Sequence, residues 1–184
     1  MENNNKKWHK ISSEMALDEK WFRVRKDVVK LPNGKVMDDY FLWLSGDIAI
    51  VVPVTEDNKL ILVKQYKYGA DKEMIEFPAG FIDNNESSED AARRELEEET
   101  GYVAEKIELL AECEVNATKA IGRGFYYIAK NVKKNGITKQ DISEDIETLV
   151  LSVEEVIKMI ERGEIRTGDS IAAFFLAMKK LNML

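Results

Sequence analysis

The chain has 184 residues, with 34 acidic against 27 basic side chains and a formal net charge of −7. That length suits one domain with a sizeable core, and the acidic balance without a basic stripe argues against nucleic acid as a partner. No apolar run approaches membrane-spanning length and the opening MENNNKKWHK lacks the core of a signal peptide, so no membrane is expected as a partner and the expected location is cytoplasmic. A single cysteine, Cys113, and a single histidine, His9, leave no internal disulfide and little room for a His-based nucleophile or a histidine zinc site.

Residues 1–19 read as a polar lead with at most a short turn. From Trp21 to Lys30 apolar residues alternate as in a half-buried strand, Leu31-Pro32-Asn33-Gly34-Lys35 is a turn, and Val36 to Leu44 returns, which predicts a hairpin. Ile48–Val54 is a nearly continuous apolar run, so it is expected as a strand covered on both faces, with Pro53 near its end. Lys59–Tyr66 and Met74–Phe77 read as further strands, and Pro78-Ala79-Gly80 leads into a helix with Ser88 as its expected N-cap and Gly101 as its left-handed stop. Strands are then expected at Ile107–Val115, Phe125–Ala129 and Ile146–Leu151. A capping box, Ser152 with Glu155, opens a helix over Val153–Arg162 that Gly163 ends, and a last helix follows Asp169-Ser170 with Ile171, Phe174, Phe175 and Met178 at helical spacing.

The first of these helices carries the chemistry. Glu95, Glu98 and Glu99 lie three and four apart on neighbouring parts of one face, and like charges at that spacing each cost an isolated helix about 0.2–0.5 kcal/mol. Arg94, four before Glu98, offsets part of this. Oxygen donors without histidine or thiolate suit a hard divalent cation, Mg²⁺ or Mn²⁺. Gly80, Glu86, Arg94-Glu95-Leu96, Glu98-Glu99 and Gly101 fall at the spacings of the Nudix box, with Tyr102 at the final aliphatic position as the one departure. The chain therefore resembles the Nudix hydrolases from about Trp21 onward. The resemblance implies an α/β/α sandwich around a mixed central sheet, with residues 1–46 as an N-terminal β-hairpin extension and 47–184 as the hydrolase domain. It also implies that Glu95 and Glu99 ligate metal, that Glu98 is a further ligand or a base, and that the Ala79 carbonyl joins them because Gly80 lets the backbone come close. Arg94 then orients the box carboxylates and Glu86 anchors the loop before the helix.

Around the box, Leu62-Val63-Lys64-Gln65-Tyr66-Lys67, Ile75-Glu76-Phe77-Pro78-Ala79-Gly80, and Gly163-Glu164-Ile165 with Asp169-Ser170 resemble the ADP-ribose pyrophosphatase branch. That branch splits the diphosphate bridge of a nucleoside diphosphate sugar into a nucleotide and a sugar phosphate. The stretch Val115-Asn116-Ala117-Thr118-Lys119 lacks the proline such enzymes usually carry there, which keeps GDP-mannose, UDP-glucose and similar nucleotide sugars open as substrates. A non-catalytic ligand sensor on the same fold is the alternative from another class. The resemblance further implies an acidic residue of a late loop acting as base, here Asp145 or Glu144. It implies Lys67 near the substrate phosphates as a point charge, and a homodimer whose hairpin offers Trp21 and Tyr40 to the nucleobase.

Overall fold

The computed structural model describes residues 6–135 and 145–183. The chain forms two compact units, Met1–Gly46 with Glu114–Arg123, and Asp47–Cys113 with Gly124–Leu184. Among the described residues no helix is long and apolar enough to cross a membrane.

The first unit carries a three-stranded antiparallel sheet in the order β1 (His9–Glu19), β2 (Phe22–Lys30), β3 (Val36–Trp43). The hairpin read from the sequence is β2–β3, and Gly34 supplies the positive φ of +83° that its turn requires. The expectation of a polar lead over residues 1–19 is corrected, because most of that stretch is β1. Its register against β2 shifts between Lys10 and Ser12 and again between Met15 and Leu17. Each extra residue flips the alternation of faces, and all eleven residues stay exposed, so no period-two signal survives in the sequence. Trp21 lies in the turn before β2 rather than in the strand.

The second unit is a three-layer sandwich. Its mixed sheet runs β12 (Glu147–Leu151), β5 (Leu60–Lys67), β4 (Ile48–Val54), β10 (Arg123–Lys130), β9 (Ile107–Glu114), with β6 (Lys72–Glu76) also paired to β5 and β7 (Ala79–Phe81) to β4. Strands β4 and β10 are parallel, while β12 and β6 run antiparallel to β5, and β7 to β4. A short ladder joins β8 (Tyr102–Val103) to β11 (Lys133–Lys134). The apolar run of β4 has two buried faces, as its composition implies. Ile50, Val52 and Val54 join Val156 of α2 (Val153–Glu161) and Ala173, Phe174, Ala177 and Met178 of α3 (Gly168–Leu181). Ala49 and Val51 join Ala91, Ala92 and Leu96 of α1 (Ser88–Thr100) on the other face.

The helix signals hold with small shifts. Ser152 and Glu155 form the expected capping box, and Gly101 ends α1 at φ +71°. The N-cap of α1 is Ser87 instead of Ser88, since it is the Ser87 hydroxyl that accepts from the Asp90 amide. Helix α3 starts at Gly168, three residues before the expected Ile171, which puts Asp169 and Ser170 inside its first turn.

Candidate active site

Arg94 is the hub of the acidic cluster. Its Nε and Nη2 donate to the two oxygens of Glu86 at 2.9 and 3.0 Å, a bidentate fork. Nη1 donates to Glu95 Oε1 at 2.6 Å and to Glu98 Oε2 at 3.2 Å, and Nη2 also reaches the Phe81 carbonyl at 2.9 Å. The same Glu86 carboxylate accepts from the Asp83 amide at 3.0 Å, closing the loop that precedes α1. Hydrogen bonds to Glu86, then to Glu95, hold the guanidinium above its ordinary pKa despite partial burial. In return the Arg94 bonds hold the Glu86 carboxyl below its usual range. One arginine thus serves three box carboxylates, where the sequence spacing alone paired it with Glu98.

Strand β7 supplies the opposite wall. Its register with β4 sets Ile50 opposite Ala79 and Ala49 opposite Gly80. Val51 N–H donates to the Pro78 carbonyl and Ile82 N–H to the Asp47 carbonyl, so bonded pairs flank the Ile50–Ala79 pair. Alternation along an antiparallel ladder makes that pair a non-hydrogen-bonded one, which turns the Ala79 N–H and C=O away from β4. The amide is taken by Glu99 Oε2 at 3.2 Å, from a side chain only 4% exposed. At Gly80 a Cβ would lie 2.0 Å from Glu95 Oε1 and 2.3 Å from its Cδ. Glycine is needed there for close approach, because the Glu95 carboxylate occupies the space of a methyl group.

Ala79, Gly80 and Glu99 line a cavity of about 240 Å³ together with Lys67, Glu76, Thr167, Asp169 and Ser170. Lys67, at the end of β5, stands 3.7 Å from Glu76. Of the three box glutamates on α1, Glu99 lines this cavity, and none lines a larger cleft of about 1120 Å³ that opens elsewhere in the same unit. Among the described residues no three His, Cys, Asp or Glu side chains converge into a ready metal cage; Arg94 stands between Glu95 and Glu98 instead. The donors nonetheless suit a hard divalent cation. They are all oxygens, and the absent Cβ of Gly80 is what admits the Glu95 carboxylate beside β7.

Four expected site residues remain. Asp145 is exposed just before β12, and Glu144 falls outside the described residues. Trp21 is 85% exposed, with the Lys20 ammonium 4.3 Å from its ring centre. Tyr40 donates its hydroxyl to the Thr118 carbonyl, lies edge-on to Trp8 at 5.4 Å and carries Lys119 over its face at 3.9 Å. Tyr40 pairs with Asp27, six residues along from Trp21, which at strand rise separates the two by about 20 Å. They form no sandwich within one chain. Phe22 instead stacks on Trp43 at 5.7 Å. Two contacts beside the cavity escaped sequence reasoning: Ser170 Oγ accepts from the Phe77 amide at 3.1 Å, and Tyr126 donates to Asp169 at 2.7 Å. They join residues 93 and 43 positions apart, and no local pattern signals such a pair.

Residues 8–43 match the nucleoside diphosphate sugar hydrolase N-terminal domain. The methanol dehydrogenase activator of Bacillus methanolicus is 29% identical over 164 residues, covering 89% of this chain and 88% of that protein. The ADP-ribose pyrophosphatase of Bacillus subtilis (strain 168) is 29% identical over 173 residues, covering 92% of each. A crystal structure of an ADP compounds hydrolase shares the fold at a TM-score of 0.85 with 21% identity, covering 97% of both chains. Residues 45–174, more than half of the sequence, match the NUDIX domain, and the chain belongs to the Nudix family.

Proposed function

We propose that the protein hydrolyses the diphosphate bridge of a nucleoside diphosphate sugar, ADP-ribose foremost, to a nucleotide and a sugar phosphate in the cytoplasm. The observation that carries this reading is the cavity at β7, where buried Glu99, the outward-turned Ala79 backbone and the Lys67 ammonium meet. The substrate class is supported by the match of residues 8–43 to a nucleoside diphosphate sugar hydrolase domain and by the relative with ADP-ribose pyrophosphatase activity in its name.

Glu95, Glu99 and the Ala79 carbonyl, with Glu98 as a further ligand where it does not serve as the base, would hold Mg²⁺, or Mn²⁺ in its place, whose chemistry there is to screen the anionic bridge and to acidify water. Arg94 fixes the directions of Glu95 and Glu98, and Lys67 supplies a cation to the phosphates. Glu98, more exposed than Glu95, takes a proton from the attacking water, with Asp145 or Glu144 as the competing base. The exposed rings of the first unit, Trp8, Trp21, Phe22 and Phe41, and the bare edge of β1 support a homodimer. In it Trp21 and Tyr40 of different copies would face one base.

A Mg²⁺-dependent screen over ADP-ribose, other sugar nucleotides and dinucleotides, with product mapping, tests the reading. AMP and ribose 5-phosphate from ADP-ribose are expected, and light scattering should report a dimer. Tight binding of ADP-ribose without turnover in Mg²⁺ or Mn²⁺ would replace the enzyme by a ligand sensor.

A further inference from the structure

The Ala79 carbonyl belongs to an edge that no strand covers, since β7 pairs with β4 alone. One residue to either side of the bonded Val51–Pro78 pair, Phe77 and Ala79 both turn their N–H groups away from β4. Two donors on an uncovered edge, one buried and one partly buried, need partners from outside the sheet. One helix layer provides each: Glu99 of α1 accepts from Ala79 at 3.2 Å, and Ser170 of α3 accepts from Phe77 at 3.1 Å. Between them Pro78 has no N–H to place, and its carbonyl is fixed by Val51 N–H at 3.0 Å. The three residues Phe77, Pro78 and Ala79 are therefore pinned from three directions.

The Ser170 pin is itself anchored. Ser170 is 3% exposed, so its hydroxyl has little contact with bulk water. Its neighbour Asp169 accepts the Tyr126 phenol at 2.7 Å, tying the first turn of α3 to β10. Burial, then the bond to Asp169, pushes that phenol above its ordinary pKa, and the donor keeps its proton at any working pH.

We infer that Ser170 is a positioning residue of the hydrolase: through the Phe77 amide it sets where the Ala79 carbonyl points, with Asp169 and Tyr126 holding Ser170 in register. Its effect on metal and rate rests on the proposed role of that carbonyl in the metal site; its effect on the backbone does not. A displaced ligand is costly, since a shift of about 1 Å in a positioned group can lower a rate about a hundredfold.

Ser170→Ala, Ser170→Cys and Ser170→Thr in the full chain test this. Three measurements decide it: amide hydrogen exchange at Ala79, calorimetric titration with Mn²⁺ alone, and kcat/KM for ADP-ribose. In Ser170→Ala the Ala79 amide, whose own partner Glu99 is untouched, should exchange at least about tenfold faster. The same variant should bind Mn²⁺ about tenfold more weakly and lose about ten- to a hundredfold in kcat/KM. Ser170→Thr keeps the acceptor and should restore all three. Ser170→Cys fills the volume with a weak acceptor and should follow Ala even if Ala itself fails to fold. Parent-like Ala79 exchange in Ala and Cys, with only a lowered Tm, would make Ser170 a packing residue and overturn the inference. If the parent itself does not bind Mn²⁺, the metal reading falls, and Ala79 exchange alone still decides whether Ser170 positions this edge.

Discussion

Gly80→Ala separates fold from function at one atom. The added Cβ would sit 2.0 Å from Glu95 Oε1, 2.3 Å from Cδ and 2.8 Å from Oε2, and no other atom is among its three nearest neighbours. The obstruction is the far end of a flexible side chain, and Gly80 needs no left-handed φ, so the backbone accepts alanine. The carboxylate must instead retreat by about 1 Å or more to reach ordinary contact, and in doing so it abandons its 2.6 Å bond with Arg94. Losing one charge-assisted hydrogen bond of a partly buried pair costs about 1–2 kcal/mol, since Arg94 keeps Glu86 and Glu98. For a chain of this size that is a fall of about 2–8 °C in Tm. Activity should suffer far more, because a displacement of about 1 Å at a catalytic group costs about a hundredfold. Thermal unfolding and ADP-ribose hydrolysis at saturating Mg²⁺ would be measured on one preparation. A folded Gly80→Ala within threefold of the parent rate would refute the placement of Glu95 in the chemistry. Wholesale unfolding would refute the claim that only a side chain is in the way.

Glu99→Gln should abolish most turnover while metal-free stability holds or rises slightly, since an amide oxygen can still accept from Ala79 N–H and one repulsive charge is gone; activity within threefold of the parent at saturating Mg²⁺ would remove Glu99 as a ligand. Asp145→Asn and Glu144→Gln discriminate the base: a large loss of kcat in either assigns the proton to the late loop, and full kcat in both leaves Glu98. Trp21→Ala should raise KM more than it lowers kcat while light scattering still reports a dimer, and a monomeric parent with unchanged KM in the variant would end the proposed base site.

What the sequence made legible was whatever rests on local rules. Ile48–Val54 matches its strand residue for residue because a continuous apolar run is bounded by turn residues on both sides. The capping box at Ser152 and the stop at Gly101 need only their own neighbours. The box spacing pointed to Gly80 and the three glutamates. It did not disclose that Arg94 reaches back eight residues to Glu86, since helical spacing predicts only its partner at Glu98. Strand β1 was hidden because bulges scramble its alternation and its ladder, not a buried face, holds it. Ser170 and Tyr126 lay out of reach for a different reason. Their partners are chosen by the packing of α3 on the sheet, a property of the whole sandwich.

The contacts of Arg94 change the energetics read from the sequence. Three acids on one helix face called for a neutralising cation, and a resident one is present: five hydrogen bonds from one guanidinium serve Glu86, Glu95, Glu98 and the Phe81 carbonyl. The metal-free chain should then be fully folded, with Arg94 and not a metal as its electrostatic keystone. Arg94→Lys tests this, because lysine keeps the charge but offers three donors from one point and no fork. The side chain is 28% exposed, so water replaces part of what is lost, and a cost of about 2–3 kcal/mol is expected, or about 4–12 °C in Tm. The loss should depend on pH. Glu86 is held below its ordinary value of 4.5 by the Arg94 bonds, so its contribution is complete above that value and disappears as pH falls through the lowered one. Parent and Arg94→Lys should therefore differ near neutrality and converge in acid. Added Mg²⁺ should raise the Tm of Arg94→Lys more than that of the parent, because it relieves a repulsion that the lysine leaves uncovered. Equal Tm values at neutral pH, or equal Mg²⁺ shifts in the two proteins, would show that the cluster does not depend on the guanidinium.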